Sequence, residues 1–365
     1  MKTAVLISIT KNVSEIAALL NTLGYNVACT VFQNMSQPNP RSYIGRGKIQ
    51  EIKKLLENEK ADIIVVNGLL KPGQHYILET ELNTKVFDRI GIILEIFVTR
   101  AHSKEAMLQV ELAKYQYELP FVREWIHRAK SSEHPGFMAS GGYQLDQYYE
   151  FIRRRMSKIR KELHLIEMQK ATNRQKRSDA GVFTVSIAGY TNAGKSSLLN
   201  LLTKSNALVA DEPFTTLDTL TRRFNPLLDA SNKNNSKTIV ITDTIGLIND
   251  VPPWMLVSFR ATLDEIRNSD CILLLIDAAD SIDSIIEKYN LAESILKDHH
   301  NKTDDPKGRQ ILILLNKIDK ISDEKLYSDI EMLKNVTEYT IIPISITKNI
   351  GVNQLIESLI RLSIN

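Results

Sequence analysis

The sequence predicts an α/β protein in three parts: an N-terminal small parallel α/β domain (1–95), a long antiparallel helical hairpin (96–180) and a doubly wound α/β domain (181–365). Three observations carry that prediction. Short β-branched apolar runs alternate with amphipathic stretches in the first and last parts, the pattern of parallel sheets covered by helices. Between them the apolar spacing changes to 4, 3, 4, the repeat of long packed helices. Residues 189–196 match a phosphate-loop pattern where a strand should pass into a helix.

In the first part, Ala4 to Ile9 reads as a strand, Ser14 to Leu23 as an amphipathic helix and Val27 to Phe32 as a second strand. A polar loop, Gln33 to Ser42, leads to a helix from Lys48 to Asn58 and a strand from Asp62 to Val66. Gly45-Arg46-Gly47-Lys48 lacks the spacing and the strand context of a phosphate loop. It reads either as a glycine turn capping a helix or as a contact for phosphate or RNA.

In the second part, Leu108, Leu112, Tyr115 and Leu119 share one helical face with Ala106, Val110, Ala113 and Tyr117. Ile152, Met156, Ile159, Leu163 and Ile166 form the seam of a second, coiled-coil-like helix. Pro135, Gly136, Gly141 and Gly142 lie between the two and permit the reversal. The second helix is basic outside its seam: Arg153, Arg154, Arg155, Lys158, Arg160 and Lys161, then Lys170, Arg174, Lys176 and Arg177. Such a face is either ordinary solvated surface or a footprint for RNA phosphates. His127, Arg128, Lys130 and His134, with Trp125, Tyr143, Tyr148 and Tyr149, add basic and stacking groups near the tip.

The third part carries the chemistry. Phe183 to Ala188 is a buried-strand run, and residues 196 to 204 continue as a helix. The loop between them is Gly189-Tyr190-Thr191-Asn192-Ala193-Gly194-Lys195-Ser196, with Ser197 next on the helix. Gly189 and Gly194 let the backbone N–H groups approach phosphate oxygens, and the helix points its positive end at the same anion. Lys195 would set an ammonium on the β- and γ-phosphates, and the Ser196 hydroxyl would ligate Mg2+.

After the strand Ile239 to Thr242 comes Asp243-Thr244-Ile245-Gly246. Asp243 can hold Mg2+ through water, and Gly246 can bring its N–H to the γ-phosphate. Asp211 to Asp218 lies where a switch loop belongs, with Thr216 the better second Mg2+ ligand and Thr215 the weaker. The apolar run Ile311 to Leu315 ends in Asn316-Lys317-Ile318-Asp319. The Asp319 carboxylate can accept two hydrogen bonds from guanine, and adenine would leave it underpaired. Ser345 and Ile346, after the strand Ile341 to Ser345, could close over the base. Together these motifs describe a P-loop GTPase domain that binds GTP and GDP with Mg2+. Lys195, Thr216 and Gly246 are its candidate catalytic groups.

The ordered motifs resemble the HflX family of translation-factor-type GTPases. The resemblance also covers Tyr43 to Ile52, Phe87-Asp88-Arg89 to Phe97, and Arg100 to Leu112. It implies a ribosomal partner, chiefly the large subunit and its rRNA, and GTP-dependent splitting or rescue of stalled or idle ribosomes. A monomer is expected. One departure stands out. Tyr148-Tyr149-Glu150 occupies the place where the family usually has Asp-Arg-Arg, so contacts at the tip do not carry over, although Arg153-Arg154-Arg155 is kept.

Composition sets limits. The chain of 365 residues is long enough for several cores, and a net charge of +3 is too small to imply nucleic-acid binding unless the charge is clustered. The longest apolar runs, such as Cys271 to Ile276, are strand-length, so no transmembrane helix is expected. Met1-Lys2-Thr3 leads directly into a strand-like run without a cleavage site, so no signal peptide is expected. Cys29 and Cys271 read as core thiols of a reducing, cytoplasmic compartment.

Leu247 stands where some GTPases carry a water-orienting Gln. An aliphatic side chain cannot orient water, so slow intrinsic hydrolysis and stimulation by a partner are expected. Two rivals remain at this level. One is a P-loop kinase or ATPase, against which Asp319 argues. The other is an RNA-binding or ribosome-assembly module with GTP as a structural ligand. No convincing motif marks a second nucleotide site in the N-terminal domain.

Overall fold

The structure, a computed structural model, describes residues 2–58, 61–132, 140–204, 220–224, 238–243, 255, 265–297 and 310–364. The chain divides into two compact units, Met1–Ile166 with Pro253–Ser258, and Glu167–Pro252 with Phe259–Asn365.

In the first unit β1 (Lys2–Ser8), α1 (Ser14–Thr22), β2 (Tyr25–Phe32), α2 (Arg46–Asn58), β3 (Ile63–Val66), α3 (Pro72–Leu82), β4 (Val86–Asp88) and α4 (Arg89–Arg100) follow one another. The strands form a parallel sheet in the order β2-β1-β3-β4. Val5, Ile7, Ile64 and Val66 form its core with Ile49 and Ile52 of α2, as their alternating and helical spacings require. Asp88 ties this domain to the helices beyond it. Its Oδ1 accepts from Gly91 N (2.8 Å) to cap α4 and from the Tyr117 hydroxyl (2.8 Å), while Oδ2 accepts from Leu70 N (3.1 Å).

Tyr117 belongs to α5 (Lys104–Ser132), which packs on α3 and α4. Leu108 and Leu112 of α5 meet Ile152, Met156 and Ile159 of α6 (Ser140–Asp179), the seam that the periodicity predicts. Pro120 lies inside α5 without ending it. Gly141 and Gly142, expected in the reversal, stand in the first turn of α6, where a helix tolerates glycine better than in its interior. His134, Pro135 and Gly136 lie outside the described residues. From Glu167 onward α6 belongs to the second unit. There Arg177 Nη2 lies 3.1 Å and Arg174 Nη1 3.7 Å from the carboxylate of Glu265.

The second unit is a doubly wound sheet. Its elements are β5 (Phe183–Gly189), α7 (Lys195–Thr203), β6 (Leu220–Phe224), β7 (Ile239–Asp243), β8 (Cys271–Asp277), α8 (Ile282–Lys297), β9 (Gln310–Asn316), α9 (Asp323–Lys334), β10 (Thr340–Pro343) and α10 (Val352–Ile364). The order is β10-β9-β8-β5-β7-β6, parallel except for β6 at the edge. Val185, Ile187, Leu273, Leu275, Leu312 and Leu314 from the central strands share a core with α7 and α10. Buried on both faces, these strands read as continuous apolar runs. β5 neighbours β7 on one side and β8 on the other, so the sheet's switch point opens at its C-terminal end, where doubly wound folds bind ligands.

Candidate functional site

Register brings the motif-bearing strand ends to one edge. Ile187 of β5 pairs with Asp243, Gly189 with Leu275, and Asp277 with Asn316. The phosphate-loop residues leave β5 at Gly189 and enter α7 at Lys195. Gly189 has φ +146°, and a Cβ there would stand 2.3 Å from the Leu275 carbonyl oxygen. Gly194 has φ +101°, and its Cβ would stand 2.6 Å from Asn316 Nδ2. Both positions therefore require glycine.

The loop is braced from the neighbouring strand. Asn316 Nδ2 donates to the Ala193 carbonyl (2.8 Å), and Asn316 Oδ1 accepts from Ile346 N (3.3 Å). One buried amide thus links the phosphate loop to the segment after β10. Tyr190 and Ala193 are buried, while Thr191 and Ser197 are half-buried and Asn192, with φ 62°, is exposed.

Two buried contacts occupy the centre. Lys195 Nζ donates to the Tyr190 carbonyl (2.8 Å), and Ser196 Oγ donates to Asp243 Oδ2 (2.8 Å). Burial pushes the Lys195 ammonium down to about 8, against the pull of the Asp243 carboxylate. Among the described residues that carbonyl is the one hydrogen-bond partner of Lys195 Nζ, and a buried cation so held gains from any anion that enters. The hydroxyl and carboxylate of Ser196 and Asp243 are hard oxygen donors of the kind Mg2+ takes, so the set fits that ion.

At the other end of the edge Ser345 Oγ donates to Asp319 Oδ1, lies 3.1 Å from Thr347 Oγ1 and accepts from Lys348 N (3.2 Å). The Ser345 hydroxyl is the main reason the Asp319 carboxyl lies below its usual range, so Asp319 is a ready acceptor. Lys317, with φ 66°, places Nζ 2.6 Å from Asp277 Oδ2.

The described candidates, Gly189 to Ser197, Asp243, Asn316, Lys317, Asp319, Ser345 and Ile346, thus share one edge of one sheet. Thr215, Thr216, Gly246 and Leu247 lie outside the described residues. Sequence reasoning missed Asp277. Its signal was available, because the apolar run Cys271 to Ile276 ends in an acid just as the run before Asn316 ends in an amide.

Known proteins share this arrangement. Residues 10–98 match the model of the family described as GTP-binding GTPase N-terminal, and residues 100–177 that of the GTP-binding GTPase Middle Region. Residues 184–317 match that of the 50S ribosome-binding GTPase. A GTPase HflX of Thermococcus kodakarensis is 41% identical over 310 residues, 85% of this chain and 67% of the relative. A GTPase HflX of Saccharolobus solfataricus is 33% identical over 370 residues, covering 100% of this chain and 99% of that one. The chain belongs to the HflX GTPase family.

Solved structures agree. The GDP complex of a GTP-binding protein from the archaeon Sulfolobus solfataricus is 30% identical, with a TM-score of 0.52 over 100% of this chain and 99% of that one. The SsGBP–GDP complex gives a TM-score of 0.56 at 29% identity, covering 100% and 98%. This HflX-family protein binds guanine nucleotide and is a GTP hydrolase. No described helix is long and apolar enough to cross a membrane.

Proposed function

We propose that this HflX-family GTPase works on the large ribosomal subunit and its rRNA, as a cytoplasmic monomer. There it splits or rescues stalled or idle ribosomes in a GTP-dependent way. The observation that carries the reading is the exposed stripe of Arg154, Lys158 and Lys161 on α6, spaced to share one helix face. Among the described residues none of the three forms an ion pair. Unpaired clustered cations are what a phosphate backbone recruits. The three-part division at 95 and 180 assigns this stripe to the hairpin and the nucleotide to the last domain.

In this reading GTP replaces the contacts now closing the phosphate loop. Lys195 leaves the Tyr190 carbonyl for the β- and γ-phosphates, and the N–H groups of residues 190–197 surround the same oxygens. Ser196 and Asp243, joined by Thr216, would hold Mg2+, which neutralises phosphate charge when bound. Asn316 and Lys317 support the base pocket from below, Asp319 reads the guanine edge, and Ser345 and Ile346 flank it. Gly246 offers its N–H to the γ-phosphate. Leu247 cannot orient the attacking water, so hydrolysis waits on the ribosome. GTP contacts at Thr216 and Gly246 would favour the ribosome-binding state.

Cosedimentation with purified ribosomal subunits tests this directly. Binding to the large subunit should be strong with GTP or a non-hydrolysable analogue and weak with GDP. Equal binding in both states would favour the assembly-module alternative and reject the switch.

A further inference from the structure

Away from the nucleotide edge, the first unit holds a cavity of about 380 Å3 walled by α3, β4 and α4 and by α5 and α6. Its size falls among small-ligand pockets, roughly 300–1,000 Å3. Aromatic rings, among them Phe121, Trp125 and Tyr148, line it together with the carboxylates Glu79, Glu95 and Glu118. The two lysines of the wall are already engaged. Lys114 Nζ lies 2.9 Å from Glu95 Oε1, and Lys85 Nζ lies 4.5 Å over the Phe87 ring.

Glu118 keeps a hydroxyl partner, Tyr148, which donates at 3.3 Å, and among the described residues it has no ion pair. Burial pushes its carboxyl up, against the pull of Lys114 and Lys85, which are themselves held by Glu95 and the Phe87 ring. His75 supplies a separate pointer. Its Nε2 lies 3.0 Å from the Val86 carbonyl, which can only accept, so a neutral ring carries its proton there and Nδ1 is an acceptor. Nδ1 is buried without a hydrogen bond, and Glu79 Oε2, 3.8 Å away, is an acceptor too, while Glu79 Oε1 accepts from Val86 N (3.3 Å). The cavity thus has two acceptor poles with capacity for a further donor, Glu118 with one hydroxyl donor and the unsatisfied His75 Nδ1 beside Glu79 Oε2, with aromatic rings beside them.

We propose that this cavity binds a small aliphatic diamine, one ammonium on Glu118 and the other on Glu79 and His75, its methylenes against the rings. Ammonium groups supply the missing donors, and aromatic faces attract cations. Because its walls come from both the α/β domain and the hairpin, the ligand would hold α5 against α3 and α4.

The test is calorimetry of the full chain with 1,4-diaminobutane, backed by Trp125 fluorescence in a Trp254→Phe background. One saturable site is expected. Glu118→Gln should weaken binding at least tenfold while leaving GTP turnover and the melting curve unchanged. Trp125→Leu should weaken it by calorimetry, and Glu51→Gln, on α2 outside the cavity lining, should not. The neutral 1,4-butanediol should not bind. Equal binding of the diol, full displacement by an equal concentration of Mg2+, or an unaffected Glu118→Gln and Trp125→Leu pair would each overturn the proposal. A blocked lysine peptide binding more tightly than the diamine would assign the cavity to a partner's side chain and overturn it as well.

Discussion

The two parallel sheets of this protein pose the same question and answer it differently. In each, the first strand of its domain lies between neighbours reached by opposite turns of the chain, β1 between β2 and β3, β5 between β8 and β7. In each, a loop of equal length, residues 9–13 or 190–194, then leads into a helix. After β5 the turn runs from Gly189, the last residue of the strand, to Gly194, and the helix opens with Lys195. After β1 it has no glycine, and the space is filled by the chain itself. Ser8 Oγ donates to Thr10 O (2.6 Å), and Asn67 Nδ2 donates to Ser8 Oγ (3.2 Å) and Asn12 O (3.0 Å). The first turn of α1 carries Glu15, paired with Arg89 at 2.6 Å. An acid at the positive end of a helix repels the phosphate that a lysine there would attract. Topology offers a crevice twice, and loop chemistry decides that only the second suits a nucleotide phosphate.

Substitutions in the two loops should break or sharpen that contrast. Gly194→Ala drives a Cβ into the Asn316 amide at a φ that side chains rarely adopt. GTP affinity should fall by at least ~100-fold, while Thr10→Gly in the other loop should leave it unchanged. Lys195→Ala should lower hydrolysis by about 100- to 1,000-fold, the usual scale for one group stabilising transition-state charge. Calorimetry and single-turnover assays read both, and undiminished turnover in Lys195→Ala would remove the site from this edge.

A second test concerns the base. Asp319→Asn replaces an acceptor by a group that can also donate, so GTP affinity should fall roughly 100-fold and xanthosine nucleotides should gain. A competition assay shows the exchange. Full retention of GTP affinity would mean that another residue reads the base.

The buried Lys195 makes a pH prediction. Burial holds its ammonium down to about 8, below the ordinary 10.5 of an unfolded chain. Phosphate holds it protonated, so nucleotide binding takes up a proton above pH 8, and affinity should weaken by up to ~tenfold per pH unit as pH rises beyond that point. For folding the sign is opposite. The unfolded chain binds the extra proton between about 8 and 10.5, so Lys195 destabilises the fold fully below 8 and less as pH rises through that window. Lys195→Met should flatten both dependences.

What sequence made legible follows a physical divide. The phosphate loop, the strand-end acids and the hairpin seam are local spacings, and periodicity or glycine placement exposes them. Asn316 could be read as a motif residue but not as the brace between Ala193 and Ile346, because that role exists only once β9 lies beside β8. The same holds for Asp277 beneath Lys317, and for Asp88, whose carboxylate joins three segments far apart in the chain. Charge clusters were legible as clusters, not as partnerships. Arg155 reads as one of three equivalent arginines, yet it grips Glu111 through two hydrogen bonds of 2.7 and 2.8 Å. Arg153 is paired more loosely, 3.5 Å from Glu150 and 5.9 Å over the Tyr149 ring.

That difference redirects the smallest and sharpest test. Reversing all three of Arg153, Arg154 and Arg155 would confound ribosome binding with damage to the hairpin, since Arg155→Glu sets a second carboxylate against Glu111 between α5 and α6. Arg154→Glu, Lys158→Glu and Lys161→Glu instead alter an exposed stripe and touch no pair among the described residues. Each should lower the slope of log affinity for ribosomes against log salt by about 0.7 to 0.9, the share of one phosphate contact. The triple variant should also lose ribosome-stimulated hydrolysis while keeping its intrinsic rate and melting curve. Arg155→Glu alone should do the reverse, lowering the melting temperature with a smaller effect on the slope. If the stripe is only solvated surface, the salt series of the triple variant and the wild type will superimpose, and the anchorage must be sought elsewhere on the chain.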